Sequence, residues 1–195
     1  PEIENIALLK DDVPFLSLLG SSLRFKDIIL SDFENKLDAG TGTQFSAITV
    51  NFGDSTSYIA FRGTDNTLIG WKEDFEIGVL SPVPAQTLAA EYLEKIALKT
   101  SGLIVVCGHS KGGNLAVYAA AFCSEAVQSR IKAVYNYDGP GFTDHVLTQE
   151  GYKNIYDRVS TFVPQSSVIG MLLGHKEKFT IVHSEEIGVM QHDIY

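Results

Sequence analysis

Leu103-Ile-Val-Val-Cys-Gly-His-Ser-Lys-Gly-Gly-Asn-Leu-Ala-Val-Tyr-Ala-Ala-Ala-Phe122 joins a short apolar run, a tight glycine-flanked turn and a helix-forming segment. Leu103 to Cys107 is continuously apolar, as in a strand covered on both faces. Gly112 to Cys123 is rich in alanine, the best helix former. Between them Gly108-His109-Ser110-Lys111-Gly112 fits G-x-S-x-G, which places a serine on a sharp strand-to-helix turn. The glycines at i−2 and i+2 remove side chains that such a turn would crowd. Ser110 Oγ then projects above the end of the sheet. The amide of Lys111 and the positive end of the following helix face the same space, where a developing oxyanion would be stabilised. A phosphate-binding loop needs G-x-x-x-x-G-K-[ST]; here Gly113 is followed by Asn114 and Leu115, so that reading fails.

Outward from this stretch, Gln44 to Phe52 and Ser57 to Phe61 read as two strands joined at Gly53-Asp54. Thr87 to Lys99 repeats apolar residues at helical spacing behind Pro82 and Pro84. Ile131 to Tyr137, Val159 to Val163 and Phe179 to His183 read as further strands. The first 43 residues read as a helical and irregular segment, with Ile6, Leu8, Leu9, Phe15, Leu16, Leu18 and Leu19 supplying apolar faces. Alternation of strands and helices implies one α/β domain over residues 1–195, with its core in 44–195. Together with the G-x-S-x-G turn, the expected architecture is the α/β-hydrolase fold: a mostly parallel central sheet with helices on both faces.

Composition narrows the function classes. The 195 residues are 45% hydrophobic and 20% charged, with a formal net charge of −9. Lys and Arg are scattered, which argues against nucleic acid and strongly anionic membranes as partners. The longest apolar run, Leu115 to Cys123, is far shorter than the roughly 20 residues of a membrane span. No signal peptide is visible, although an opening on Pro1 leaves a removed leader open. Cys107 and Cys123 read as buried free thiols, so a reducing, cytoplasmic setting is expected.

In a G-x-S-x-G hydrolase the residues follow in the order Ser, acid, His. His109 therefore cannot be the base and reads as packing beside the turn. Among the downstream histidines, His192 lies in the loop after the last strand, where the base of this fold belongs. His183 ends that strand, His175 reads as exposed in a turn, and His145 comes too early. For the acid, Asp138 follows the strand Ile131 to Tyr137, at the sheet edge where α/β proteins bind ligands. The turn Gly139-Pro140-Gly141 would expose it. Asp144 and Asp157 are alternatives, and a plain turn role for Asp138 is the simpler one.

Ser57 to Thr64, reading S-Y-I-A-F-R-G-T, followed by Trp71 and Asp74, resembles the F-R-G-[ST] and W-x-x-D pattern of class 3 lipases. Gly108 to Gly113 resembles their G-H-S-x-G-G turn. As a set these stretches resemble a bacterial group of lipase-like α/β-hydrolases related to class 3 lipases. The resemblance implies that the amide of Thr64 is a second oxyanion donor beside Lys111. Arg62 and Asp74 are expected to pair and brace that loop, and Trp71 to anchor in the core. Met190-Gln191-His192-Asp193 resembles the end of the lipase-like domain. Asp138-Gly139-Pro140-Gly141-Phe142 resembles the D-P-x-x-P acid turn of pancreatic-type lipases. It departs from class 3 lipases, whose acid comes one strand later; Val163-Pro164-Gln165-Ser166-Ser167 has serines there.

The resulting expectation is a serine hydrolase of acyl esters using Ser110, His192 and Asp138, with small-molecule or lipid-like substrates. No cofactor or metal is expected, since His183, Glu185, Glu186 and His192 match no metal motif. A thioesterase, acyltransferase or peptidase on the same fold, or a binding scaffold that lost its triad, are the alternatives. Val168 to Leu173 reads equally as an acyl-pocket wall, a lipid-facing flap or core. Residues beyond Tyr195 that complete a lid are left open.

Overall fold

The computed structural model describes residues 12–64 and 82–192. Helix α1 (Asp12–Ser21) precedes strands β1 (Ile29–Asp38), β2 (Thr43–Asn51) and β3 (Ser57–Phe61). Then follow α2 (Pro84–Lys99), β4 (Ile104–His109), α3 (Lys111–Phe122), α4 (Glu125–Gln128) and β5 (Ile131–Tyr137). The chain continues through α5 (Asp144–Leu147), α6 (Glu150–Lys153), β6 (Val159–Pro164) and β7 (Lys178–Val182), and closes with a 3₁₀ turn at Gly188–His192. The seven strands of the described residues form one sheet in sequential order. β1, β2 and β3 pair antiparallel; β3 to β7 are parallel.

The register aligns Ala47, Phe61 and Gly108 on one face, with Ile59 beside Val106 and Val134 beside Val159. These residues and the apolar sides of α2 and α3 make the buried core. β3 alternates buried and half-buried residues along its length, so it has one fully covered face. Helices were expected on both faces; among the described residues the two with the main sheet contacts, α2 and α3, both pack in the core. Right-handed crossovers that always step in the same direction along a sheet deliver their helices to one side. The opposite face carries the row His109, Tyr137, Phe162 and Thr180, which is open to partly open.

The segment 29–38, expected to be irregular, is strand β1. Its pairing with β2 shifts between Ser31 and Glu34, where Asp32 has φ of 53°. That bulge breaks the two-residue alternation by which a strand is recognised. Lys95 and Lys99 of α2 pair with Glu34 and Asp32, and Tyr92 donates to the Asp32 carbonyl at 2.8 Å. His175 also departs from expectation: its side chain is 6% exposed, not solvated.

Candidate active site

β4 ends at His109 and α3 begins at Lys111, so Ser110 alone makes the turn. Its backbone sits at φ 56°, ψ −131°, a conformation that costs a side-chain-bearing residue roughly 1–3 kcal/mol. Ser110 N donates to Tyr137 O at 2.9 Å, and Gly113 N donates to Ser110 O at 2.9 Å. These bonds tie the strained residue to β5 and to α3. A Cβ at Gly112 would overlap the backbone of Phe61 and Arg62, so only glycine lets α3 press against the end of β3. Lys111 is fully buried, and its ammonium donates to the carbonyl of Gln44 at 2.9 Å and to the Gln44 side-chain oxygen. Its amide stays in the first turn of α3, at the positive end of the helix.

The stretch Arg62-Gly63-Thr64 leaves β3 beside this turn. A Cβ at Gly63 would lie 2.8 Å from His109 O and 3.3 Å from Ser110 Cβ, so the two backbones are in direct contact one residue before the half-buried Thr64. Arg62 donates to Asn35 at 3.4 Å. Trp71 and Asp74 lie outside the described residues.

β5 ends at Tyr137, and Asp138 follows with φ of 52°. Its amide donates to Phe162 O at 2.8 Å. Two asparagines hold the turn beyond it. Gly139 N donates to Asn136 Oδ1 at 2.9 Å, while Asn114 Nδ2 donates to Pro140 O at 3.1 Å and Gly141 O at 2.9 Å. Gln86 in turn donates to Asn114 Oδ1 at 2.8 Å. A buried amide chain thus runs from α2 through α3 to the acidic turn.

The structure brings Asp138 and His192 together: His192 Nδ1 lies 2.6 Å from Asp138 Oδ2. The carboxylate accepts, so Nδ1 carries the proton and Nε2 is left as the basic nitrogen. The Asp138 side chain is 6% exposed and the His192 side chain 24%, so the acid is sealed while the imidazole is reachable. The His192 ring lies against His109, centroids 4.5 Å apart and planes at 33°. The pair is therefore seated on the residue next to Ser110. Among the described residues, no hydrogen bond joins Ser110 Oγ to His192. A cleft of about 510 Å³ opens beside the imidazole, lined by His109, Tyr137, Phe162, Val182 and His192, with Glu185 and Glu186 at its rim.

The other candidates are elsewhere. His145, Asp144 and Asp157 are exposed on the surface, and His183 is exposed on the wall of the cleft. His175 makes a second histidine–carboxylate pair, 2.7 Å to Glu177. Tyr152 and Thr161 also donate to Glu177, at 2.7 and 2.6 Å. Burial opposes the charge of Glu177, but these donors hold its carboxyl at about 2. With side chains only 6% and 2% exposed, this pair is almost sealed from solvent and reads as structural. Burial pushes both thiols up, Cys123 to about 12, so neither half-buried cysteine offers a ready nucleophile.

Sequence reasoning missed three contributors. Ser167 donates to Asp138 Oδ1, Gln191 accepts from Ser166 N at 2.9 Å, and Asn114 holds the acidic turn. The only hint was the serine pair at the end of β6. Val168, Met171, Leu172 and Leu173 are exposed and so are not core, while Ile169 is half-buried and Gly170 buried.

Residues 19–195 match the sequence model of the Mbeg1-like family. The chain belongs to the Mbeg1-like family. No curated protein sequence matches it. Among solved structures it is similar to a fungal lipase in complex with an inhibitor: TM-score 0.56, 15% identity, 83% of this chain and 67% of that one. It is also similar to M37 lipase, with TM-score 0.53, 14% identity, 80% of this chain and 59% of that one. A third match is the Rhizomucor miehei lipase propeptide complex, with TM-score 0.49, 20% identity and 70% of this chain. The chain spans about half the length of that last protein, 50%. The mostly parallel sheet of this Mbeg1-like chain is thus compatible with the fold of lipases. Among the described residues no helix is long and apolar enough to cross a membrane.

Proposed function

We propose that this Mbeg1-like chain is an α/β-hydrolase that cleaves carboxylic esters of acyl or lipid-like type. The observation that carries the reading is the Asp138–His192 bond of 2.6 Å, stacked on the residue beside a strained strand-to-helix serine. The sequence order Ser110, Asp138, His192 agrees with it.

In the proposed reaction His192 Nε2 takes the proton of Ser110 Oγ as the oxygen attacks the acyl carbonyl. The carbonyl electron pair moves to oxygen, where the amides of Thr64 and Lys111 receive it. Asp138 holds the imidazole in the Nδ1–H tautomer and balances its charge. The tetrahedral species collapses, the leaving alcohol takes the proton from Nε2, and an acyl-serine remains. Water then attacks with Nε2 as base, releasing the acid and regenerating Ser110.

Hydrolysis of p-nitrophenyl esters by the protein and by Ser110→Ala, Asp138→Asn and His192→Ala tests the reading. Turnover that all three abolish supports it. Turnover retained by Ser110→Ala refutes it. A second reading, a binding scaffold on the same fold, is favoured by one observation: the lack of a Ser110–His192 hydrogen bond among the described residues. Such bonds often tighten only in the substrate complex, so the hydrolase reading stands first.

A further inference from the structure

Three successive side chains or amides after β6 each reach a different part of the candidate site. Gln165 exchanges two bonds with Ser184, donating at 2.6 Å and accepting at 2.8 Å, and so ties down the segment after β7. Ser166 N donates to Gln191, whose amide donates to Glu186 O at 2.5 Å; Gln191 directly precedes His192. Ser167 Oγ donates to Asp138 Oδ1.

The direction of that last bond is fixed. Gly170 N donates to Ser167 Oγ at 2.9 Å, and an ionised carboxylate has no proton to give, so the hydroxyl accepts from Gly170 and donates to Oδ1. A methyl group at Gly170 would overlap Asp138 Oδ1, so the loop is closed around the acid. The Asp138 carboxylate is thereby held at both oxygens, Oδ1 by Ser167 and Oδ2 by His192.

We infer that Ser167 is a positioning residue for the reaction: its hydroxyl fixes the Asp138 carboxylate in the rotamer that holds His192 with Nε2 free. The inference rests on the hydrolase reading proposed above. Without this donor the carboxylate turns about its last torsion, and the imidazole loses its fixed aim. A charge-assisted hydrogen bond of this kind accounts for about a tenfold effect on rate when it acts only through geometry.

The test compares Ser167→Ala, Ser167→Thr and the isosteric weak donor Ser167→Cys in ester turnover. In parallel, the far-downfield proton resonance of the His192 Nδ1–H is recorded without substrate. Ser167→Ala is expected to lower kcat about tenfold at unchanged KM. It should also shift or broaden the resonance, and Ser167→Thr should restore both while Ser167→Cys falls between. Wild-type kcat and an unmoved resonance in folded Ser167→Ala or Ser167→Cys would overturn the inference. A wild-type protein that turns over no ester, yet whose resonance Ser167→Ala displaces, refutes the hydrolase reading and leaves the Ser167–Asp138 linkage standing.

Discussion

Asp138→Asn should disable the site by imposing the wrong proton arrangement. The amide keeps the bond donated by Ser167 when it presents its oxygen at position Oδ1. Its NH₂ group then faces His192 Nδ1, which must become the acceptor. The imidazole proton moves to Nε2, the nitrogen that has to receive the serine proton. Restoring the productive tautomer opposes two N–H groups, at about 1–3 kcal/mol for an unmade buried bond. The imidazolium formed during attack also loses its carboxylate, worth about 4 kcal/mol for charges about 4 Å apart at an effective dielectric constant near 20. Together these raise the barrier by roughly 5–7 kcal/mol, a fall of about 10⁴-fold or more in rate. The assay is single-turnover acylation of Ser110, wild type against variant. The double variant Asp138→Asn/Ser167→Ala frees the amide to turn its oxygen toward His192, so part of the loss should return. An Asp138→Asn protein that acylates within tenfold of wild type would refute this account of the acid. A double variant no faster than the single would show that Ser167 does not set the orientation of the amide.

Three further predictions concern the scaffold and the pocket. Glu177 is held at about 2 in the folded chain against its ordinary 4.5, so its stabilisation is complete above pH 4.5 and is lost as pH falls toward 2. The share involved is about 3 kcal/mol; urea titrations across pH 2–6 should show a flatter acid slope for Glu177→Gln, and equal slopes would contradict the pairing. Gly112→Ala forces a Cβ into the backbone of Phe61 and Arg62 and should cost more than about 2 kcal/mol in the same titration. A variant as stable as wild type would show that β3 and α3 are not in contact. Leu172→Asp, on the exposed apolar loop, should abolish preference for longer acyl chains, and an unchanged chain-length profile would remove that loop from the pocket.

The sheet was legible because β3 to β7 carry apolar and β-branched residues bounded by Gly, Pro and Asp, and their reading is local. β1 was not, because the bulge at Asp32 interrupts its alternation and its partners on α2 lie more than 60 residues on. The packing of α2 and α3 together in one core was also hidden: it follows from the sequential strand order, which no local pattern encodes. At the site, Ser110 stood out through its flanking glycines. The acid and base remained open among several residues, because what distinguishes Asp138 and His192 is contact across 54 positions. Ser167 and Gln191 act across 29 and 25 positions and look like ordinary loop residues in the sequence. His175 was misjudged because its ring packs on Phe179 and pairs with Glu177, a carboxylate that Tyr152 and Thr161 also hold only in the fold.

The proposed reaction requires Ser110 to be an activated nucleophile. The most direct measurement is mass-spectrometric localisation of a fluorophosphonate adduct on the intact protein and on Ser110→Ala and His192→Ala. One adduct is expected, on Ser110, absent from the first variant and strongly slowed in the second. Folded wild-type protein that acquires no adduct, or acquires it at another residue, would contradict it.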